Sequence, residues 1–318
     1  KNPENSYLSV PEQNLFFYEN KILETLGERA AFLCRTLSFL TLSLRVMEDK
    51  ENYTELKLLD SETSNMILAS VILENKSRLK LYKGGDKSDY RERVKSQISE
   101  LKKHLVSSSD ILLLKEDKNL PESLKNKLSD IGIIMSLFEE RCMNVFSDSD
   151  GLMCEAAEVI SSSFAFKNKN VYIDGFTGFT GEELQLISAM DKAGANILIS
   201  LDYTDEYGKR TGDIYSSVNI TLNKLKKLFD EIKIITLKGC DIENPEIKHL
   251  CENMFTKEEK YEKEPCSVAL YKYKNSLAEI SACAADIARK LDGGAFPSEF
   301  QVVAGSELYA EKVGKALK

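Results

Sequence analysis

The residues most able to do chemistry lie between positions 171 and 184. Val171-Tyr172-Ile173 is a short apolar run that ends in Asp174, followed by Gly175-Phe176-Thr177-Gly178-Phe179-Thr180 and then Gly181-Glu182-Glu183-Leu184. This order predicts a buried strand, a tight glycine-rich turn and a helix capped by Thr180, with Thr180 and Glu183 at capping-box spacing. An acid at the end of such a strand is where a nucleoside triphosphatase with a phosphate loop holds its magnesium ion, and Thr177 is placed to offer a hydroxyl to a phosphate. Motors of that kind carry a glutamate directly after the aspartate to activate water, and here that position is Gly175. An aspartate also caps turns after buried strands, so a structural role for Asp174 stands beside the metal-binding one.

Other chemistries find little support. The seven cysteines (34, 142, 154, 240, 251, 266 and 283) are scattered singly, and there are only two histidines. That pattern argues against a zinc framework and reads as buried thiols of a cytoplasmic protein. His104 and His249 sit in helical patterns with no third ligand nearby in sequence. No G-x-x-x-x-G-K-[ST] phosphate loop occurs anywhere in the chain. No apolar run reaches the length needed to span a bilayer, so no membrane contact is expected. The chain starts at Lys1 without a signal-peptide pattern and is expected to be a piece of a longer protein.

Charge is unevenly spread. The net charge of −8 disfavours nucleic acid as a partner of the whole surface. Between Glu74 and Lys103, however, ten Lys/Arg stand against five Asp/Glu, closing on Lys102 and Lys103. Tyr82 and Tyr90 in that stretch could stack on bases, or the stretch could be a solvated helix face.

The elements that would position these residues follow from periodicity. Strands are expected at 7–10, 30–34, 171–174, 196–201 and 233–237, with helices between them, as in a mainly parallel sheet covered on both faces. Pro11 opens a helix with Leu15, Ile22 and Leu26 on its apolar face, and 36–48 is helical with Leu37, Leu40, Leu44 and Met47 inward. Residues 61–146 are almost wholly helical and charged, more than one crossover needs, and read as an inserted subdomain. Residues 256–265 read as a linker. A new β-α-β unit follows, with strands at 267–273 and 299–304, helices from Ser276 and Leu308, and a second capping-box spacing at Ser276 and Glu279.

In this order the segments resemble the AddB/RexB family, the B subunits of the bacterial ATP-dependent helicase/deoxyribonuclease. The matching pieces are Val10-Pro11-Glu12-Gln13, Thr36 to Leu40, Ser99 to Lys102, and above all Tyr172 to Phe176 followed by Phe179-Thr180 and Glu183-Leu184; Glu279 to Ile287 and Phe300 to Val303 match later. The resemblance implies an α/β fold with a RecA-like parallel sheet of the superfamily 1 helicase type, a mostly helical insertion and the start of a second α/β domain. The implied bounds are 1–75 and 151–265 for the first RecA-like domain, 76–150 for the insertion and 266–318 for the second domain. The family's phosphate loop would precede Lys1, and its nuclease domain with a 4Fe–4S cluster would lie beyond Lys318.

The resemblance also implies a function. The family's complex is a heterodimer that processes double-strand breaks for recombination. Its motor/nuclease partner drives translocation, while the AddB/RexB polypeptide holds single-stranded DNA and, in many members, recognises the hotspot Chi. Related helicases place strand-contacting motifs where this chain has Gln13 and Asn14, and again where it has Thr36, Ser38 and Phe39, though Phe39 also fits a core position. The next helicase motif, Ser200-Leu201-Asp202-Tyr203-Thr204, lacks the glutamine that senses the γ-phosphate. ATP, magnesium and the cluster are therefore expected only of a full-length member, with Asp174 and Thr177 vestigial and no catalytic residue here. Two rival readings are a scaffold that docks on the motor partner without touching DNA, and an active phosphate-loop NTPase.

Overall fold

The computed structural model describes residues 3–49, 59–84, 88–142, 151–202, 216–237, 242–253 and 260–317. In chain order the elements are β1 (Ser6–Ser9), α1 (Leu15–Leu26), α2 (Glu28–Leu33), β2 (Arg35–Leu37), α3 (Phe39–Glu48), α4 (Ser61–Glu74), α5 (Ser88–Lys103), α6 (Ser108–Leu114) and α7 (Glu122–Cys142). Then come α8 (Leu152–Ser161), β3 (Asn170–Ile173), α9 (Gly181–Lys192), β4 (Asn196–Ile199), α10 (Ser216–Leu228), α11 (Pro245–Asn253), α12 (Ser276–Asp292) and α13 (Glu307–Ala316). The chain divides into two compact units, Lys1–Gly208 with Asp213–Ile235, and Lys209–Gly212 with Thr236–Lys318.

The first unit is α/β. Among the described residues its sheet has four strands, all parallel, in the order β2-β1-β3-β4. The main core lies where Leu37, Val171 and Ile173 of the sheet meet Leu42 of α3, Ala156 and Ile160 of α8, and Leu186, Ile187 and Met190 of α9. The 186-187-190 spacing is that of one helix face, and burying each such side chain contributes roughly 1.5–3 kcal/mol. Thr180 caps α9 through the reciprocal box expected, its hydroxyl accepting from the Glu183 N–H while the Glu183 carboxylate accepts from the Thr180 N–H.

The insertion builds a second core from α4 to α7. Leu68, Val71 and Ile72 meet Val94 and Ile98, Ile111, and the Ile131-Ile134-Met135-Phe138 face of α7. Asp130, at 0% exposure, is its polar centre. Its carboxylate accepts from the backbone N–H groups of Lys80, Leu81 and Tyr82 at 2.6–2.9 Å, fixing the turn that leads out of α4.

Several expected elements differ. Residues 30–33 form the end of helix α2 and Cys34 is its extended C-cap, with the strand displaced to Arg35–Leu37; a short apolar run such as Ala-Ala-Phe-Leu has no period that separates helix from strand. The helix expected over 36–48 starts at Phe39, because Ser38 takes the N-cap and accepts from the Thr41 N–H at 3.1 Å. Helix α12 is capped by Asn275 rather than Ser276. Residues 233–237, 267–273 and 299–304 form no strand, and Ile235, Leu237, Leu270 and Val303 stand exposed. A strand is completed only by a neighbour's hydrogen bonds, and among the described residues these three segments have no neighbouring strand. Part of the expected linker (256–259), and Gly85 and Asp86 of the expected helix break, lie outside the described residues.

The second unit contains α11, α12 and α13. Glu246 binds it locally, accepting from the backbone N–H groups of Cys266, Ser267 and Val268, which hold its carboxyl below the usual range.

Candidate functional site

Backbone bonds continue the ladder one step past the strand ends. Val10 N–H donates to Leu37 O, Asp174 N–H to Ser9 O, and Ser200 N–H to Ile173 O. Val10, Asp174 and Ser200 therefore mark one rim, the C-terminal edge of the parallel sheet. From β1 the chain crosses to β2 on one side, and from β3 it crosses to β4 on the other. Right-handed crossovers in opposite directions place α1 and α2 on one face and α9 on the other. The rim between β1 and β3 is thus the point where the winding reverses, the place at which open parallel sheets bind ligands.

Two loops meet there. After β1, Pro11 leads into a short turn carrying Gln13, which is exposed, and Asn14, half-buried at the start of α1. After β3, Asp174 leads into Gly175, whose φ of +79° belongs to the left-handed region that glycine favours. A Cβ on Gly175 would lie 3.3 Å from Pro11 Cδ, 3.4 Å from the Tyr18 hydroxyl and 3.5 Å from Asn14 Nδ2, so the two loops are in direct contact.

Asp174 is tied into this contact. The Tyr18 hydroxyl of α1 donates to Asp174 Oδ2 at 2.9 Å, the Gly175 N–H donates to Oδ1 at 2.9 Å, and the Ser200 hydroxyl also donates to Oδ1. Partial burial, the bond to Asp174 and the nearby charges of Asp174 and Asp202 push the Tyr18 phenol up to about 12, so it is a hydrogen-bond donor at neutral pH. The Asp174 carboxylate thus accepts three bonds from this chain, which leaves about one of its four lone-pair sites. Among the described residues no group of three or more His, Cys, Asp or Glu is arranged to hold a metal.

The remaining expected site residues fall in different places. Thr177 is exposed in the 175–179 loop, and its carbonyl accepts from the Thr221 hydroxyl of α10 at 3.2 Å. Thr36 lies on β2 opposite Leu8. Phe39 is core, 5.2 Å from the Phe176 ring and 6.3 Å from Phe179, an aromatic cluster that pins the loop after β3 to α3. Lys102 and Lys103 are on α5 of the insertion. Lys102 lies over the Phe138 ring and 3.8 Å from Glu139, whereas Lys103 is exposed. Tyr82 is buried against Tyr90, which is half-buried and donates to the Leu81 carbonyl, so Tyr82 packs the insertion.

Sequence reasoning missed Tyr18 and found Ser200 only as part of a degenerate motif. Tyr18 lies 156 residues from its partner and had no local signal. The six cysteines among the described residues are free. Cys154 is pushed up to about 11, first by burial and then by Glu182, Glu158 and Glu155.

A parallel sheet whose ligand rim carries a helicase-type acid without its following glutamate, joined to a helical insertion, defines a helicase-like α/β protein. The chain belongs to the family described as "ADDB, N-terminal", whose profile matches residues 1–260. It is 29% identical to the B subunit of the ATP-dependent helicase/deoxyribonuclease of Clostridium kluyveri over 304 residues, covering 91% of this chain and 26% of that protein. The proteins of the same name from Clostridium botulinum (strain Hall) and Acetivibrio thermocellus are each 28% identical, over 94% and 98% of this chain and 27% and 28% of theirs. The chain thus spans about a quarter of the length of the curated relatives it matches. Among the described residues no helix is long and apolar enough to cross a membrane.

Proposed function

We propose that this chain is the non-motor, helicase-like part of a cytoplasmic DNA-end-processing complex, and that it holds single-stranded DNA across the C-terminal rim of its sheet. A motor/nuclease partner in the same heterodimer supplies translocation and nuclease power during repair of double-strand breaks by homologous recombination, and Chi recognition belongs to the full-length protein.

The observation that carries this reading is the state of Asp174. Three of about four acceptor sites on its carboxylate are taken by Tyr18, Ser200 and Gly175, at the point where a working enzyme would present it to magnesium. A rim built this way keeps its shape without nucleotide. Gln13 and Asn14 then flank it with amide groups, of the kind that contact sugar and phosphate alongside charged side chains, while Thr36 lies level with Leu8, two residues short of the rim. Holding a strand in this way requires no cofactor within residues 1–318.

Fluorescence-anisotropy titration with labelled single-stranded and duplex DNA at two salt concentrations tests it. The expected result is single-strand binding that weakens with salt, log affinity falling at about 0.7 per phosphate contacted. Absence of binding by the folded protein at low salt would favour the scaffold instead. Hydrolysis of ATP by this chain alone would favour the NTPase.

A further inference from the structure

Where the insertion meets α9, two positions carry the opposite of the residue their backbones favour. Helix α5 ends in a Schellman motif, in which the Leu105 N–H donates to Lys102 O at 2.7 Å and the Val106 N–H to Leu101 O at 3.0 Å. The left-handed position of that motif is Leu105, with φ of +60°. Glycine is its usual occupant, because a Cβ there crowds the following carbonyl oxygen. Gly181 is the first helical residue of α9 and lies outside the left-handed region, so its backbone has no need of glycine. Alanine would favour the helix more at that position.

The contact between the two accounts for both choices. A Cβ on Gly181 would lie 2.9 Å from Leu105 Cγ, 3.2 Å from Leu105 Cδ1 and 3.1 Å from the His104 carbonyl carbon. The missing side chain is what lets the turn after α5 sit directly on α9. Leu105 lines one groove with Gly181 and with Leu184, which is three residues further along α9. A glycine at position 105 would cap α5 with less strain but would remove the side chain that reaches α9.

The cores of the insertion and of the sheet share no residue, so a contact between them can carry information that packing alone does not. This one falls at the end of the rim loop, since Thr180, the N-cap of α9, closes the loop that Asp174 opens. Phe39 holds the loop from α3 through Phe176 and Phe179, and Thr221 holds it from α10 through the Thr177 carbonyl. Leu105 adds a hold from the insertion at its far end. We infer that Leu105 is a positioning residue: through Gly181 the insertion sets where the 175–180 loop lies, and so where a strand on the rim is held. The consequence for a strand rests on the strand-holding reading above, whereas the coupling of insertion to loop stands apart from it.

Leu105→Gly separates positioning from capping, because a residue that only caps α5 would be improved by glycine. Hydrogen exchange of the full-length polypeptide should be roughly tenfold faster within 176–184 in the variant, with protection of α5 unchanged or improved. Crosslinking of bromodeoxyuridine-substituted single strands to the 176–180 peptide should fall severalfold. Gly181→Ala should act in the same direction, and the double variant should be no worse than the poorer single one, since both act on one contact. Unchanged exchange within 176–184 would overturn the inference, and so would additive effects in the double variant. Faster exchange with wild-type crosslinking would overturn the role in strand holding. Absence of rim crosslinks in the wild type, with exchange still accelerated by Leu105→Gly, would instead sink the strand-holding reading and leave the coupling standing.

Discussion

Two aspartates show how differently the sheet and the insertion are built. Asp130 in the insertion is fully buried and accepts only from backbone N–H groups of a turn about fifty residues away. Asp174 at the sheet rim is half-buried and accepts from two side-chain hydroxyls and its own turn. The first is a structural pin whose acceptor and whose Tyr82 donor are buried, although Lys80 and Leu81 themselves reach solvent. The second is a clasp at a surface, where water can replace any one donor. A carboxylate in the clasp geometry holds loops in register and leaves the rim open to a ligand, which the pin cannot do.

The largest effect should come from removing the pin. Asp130→Ala strands the backbone donors of Lys80, Leu81 and Tyr82, at about 1–3 kcal/mol for each unsatisfied group, and is expected to unfold the insertion locally. Hydrogen exchange should show lost protection across α4 and α7, with β1 and β3 still protected. Uniform loss in both cores would mean that the two regions are energetically one.

The clasp should matter less. Asp174→Ala is expected to cost about 1 kcal/mol in chemical denaturation, since Tyr18 and Ser200 regain water as a partner. A loss as large as that of Asp130→Ala would erase the distinction between the two sites.

The sheet, the helical insertion and the Thr180 cap were legible because periodicity and capping are local. Asp174 was legible as a strand-end acid; its clasp was not, because Tyr18 and Ser200 come from other elements and hydroxyl donors leave no spacing pattern. The strands expected at 233–237 and 267–273 show the opposite failure. Ile234, Ile235 and Leu237, like Leu270, carry strand-like apolarity, but a sequence displays only one member of a ladder. Base stacking was one of two readings for Tyr82, and its burial against Tyr90, beside the turn whose N–H groups Asp130 accepts, left no trace in the spacing.

The smallest effect distinguishes the sites by pH. The Tyr18 phenol is raised from its ordinary 10 to about 12, so its contribution is whole below pH 10 and is lost as pH rises toward 12. Wild type should lose more stability than Tyr18→Phe over that interval, measured by denaturation at fixed ionic strength. Parallel losses would show that the phenol is not held by Asp174 in solution.

The most direct test asks which region holds DNA. Photocrosslinking of bromodeoxyuridine-substituted single strands, followed by peptide mapping, should place crosslinks at the rim, in peptides containing Gln13 and Asn14 or Phe176 to Thr180. Crosslinks confined to α5 around Lys103, with none at the rim, would contradict the account.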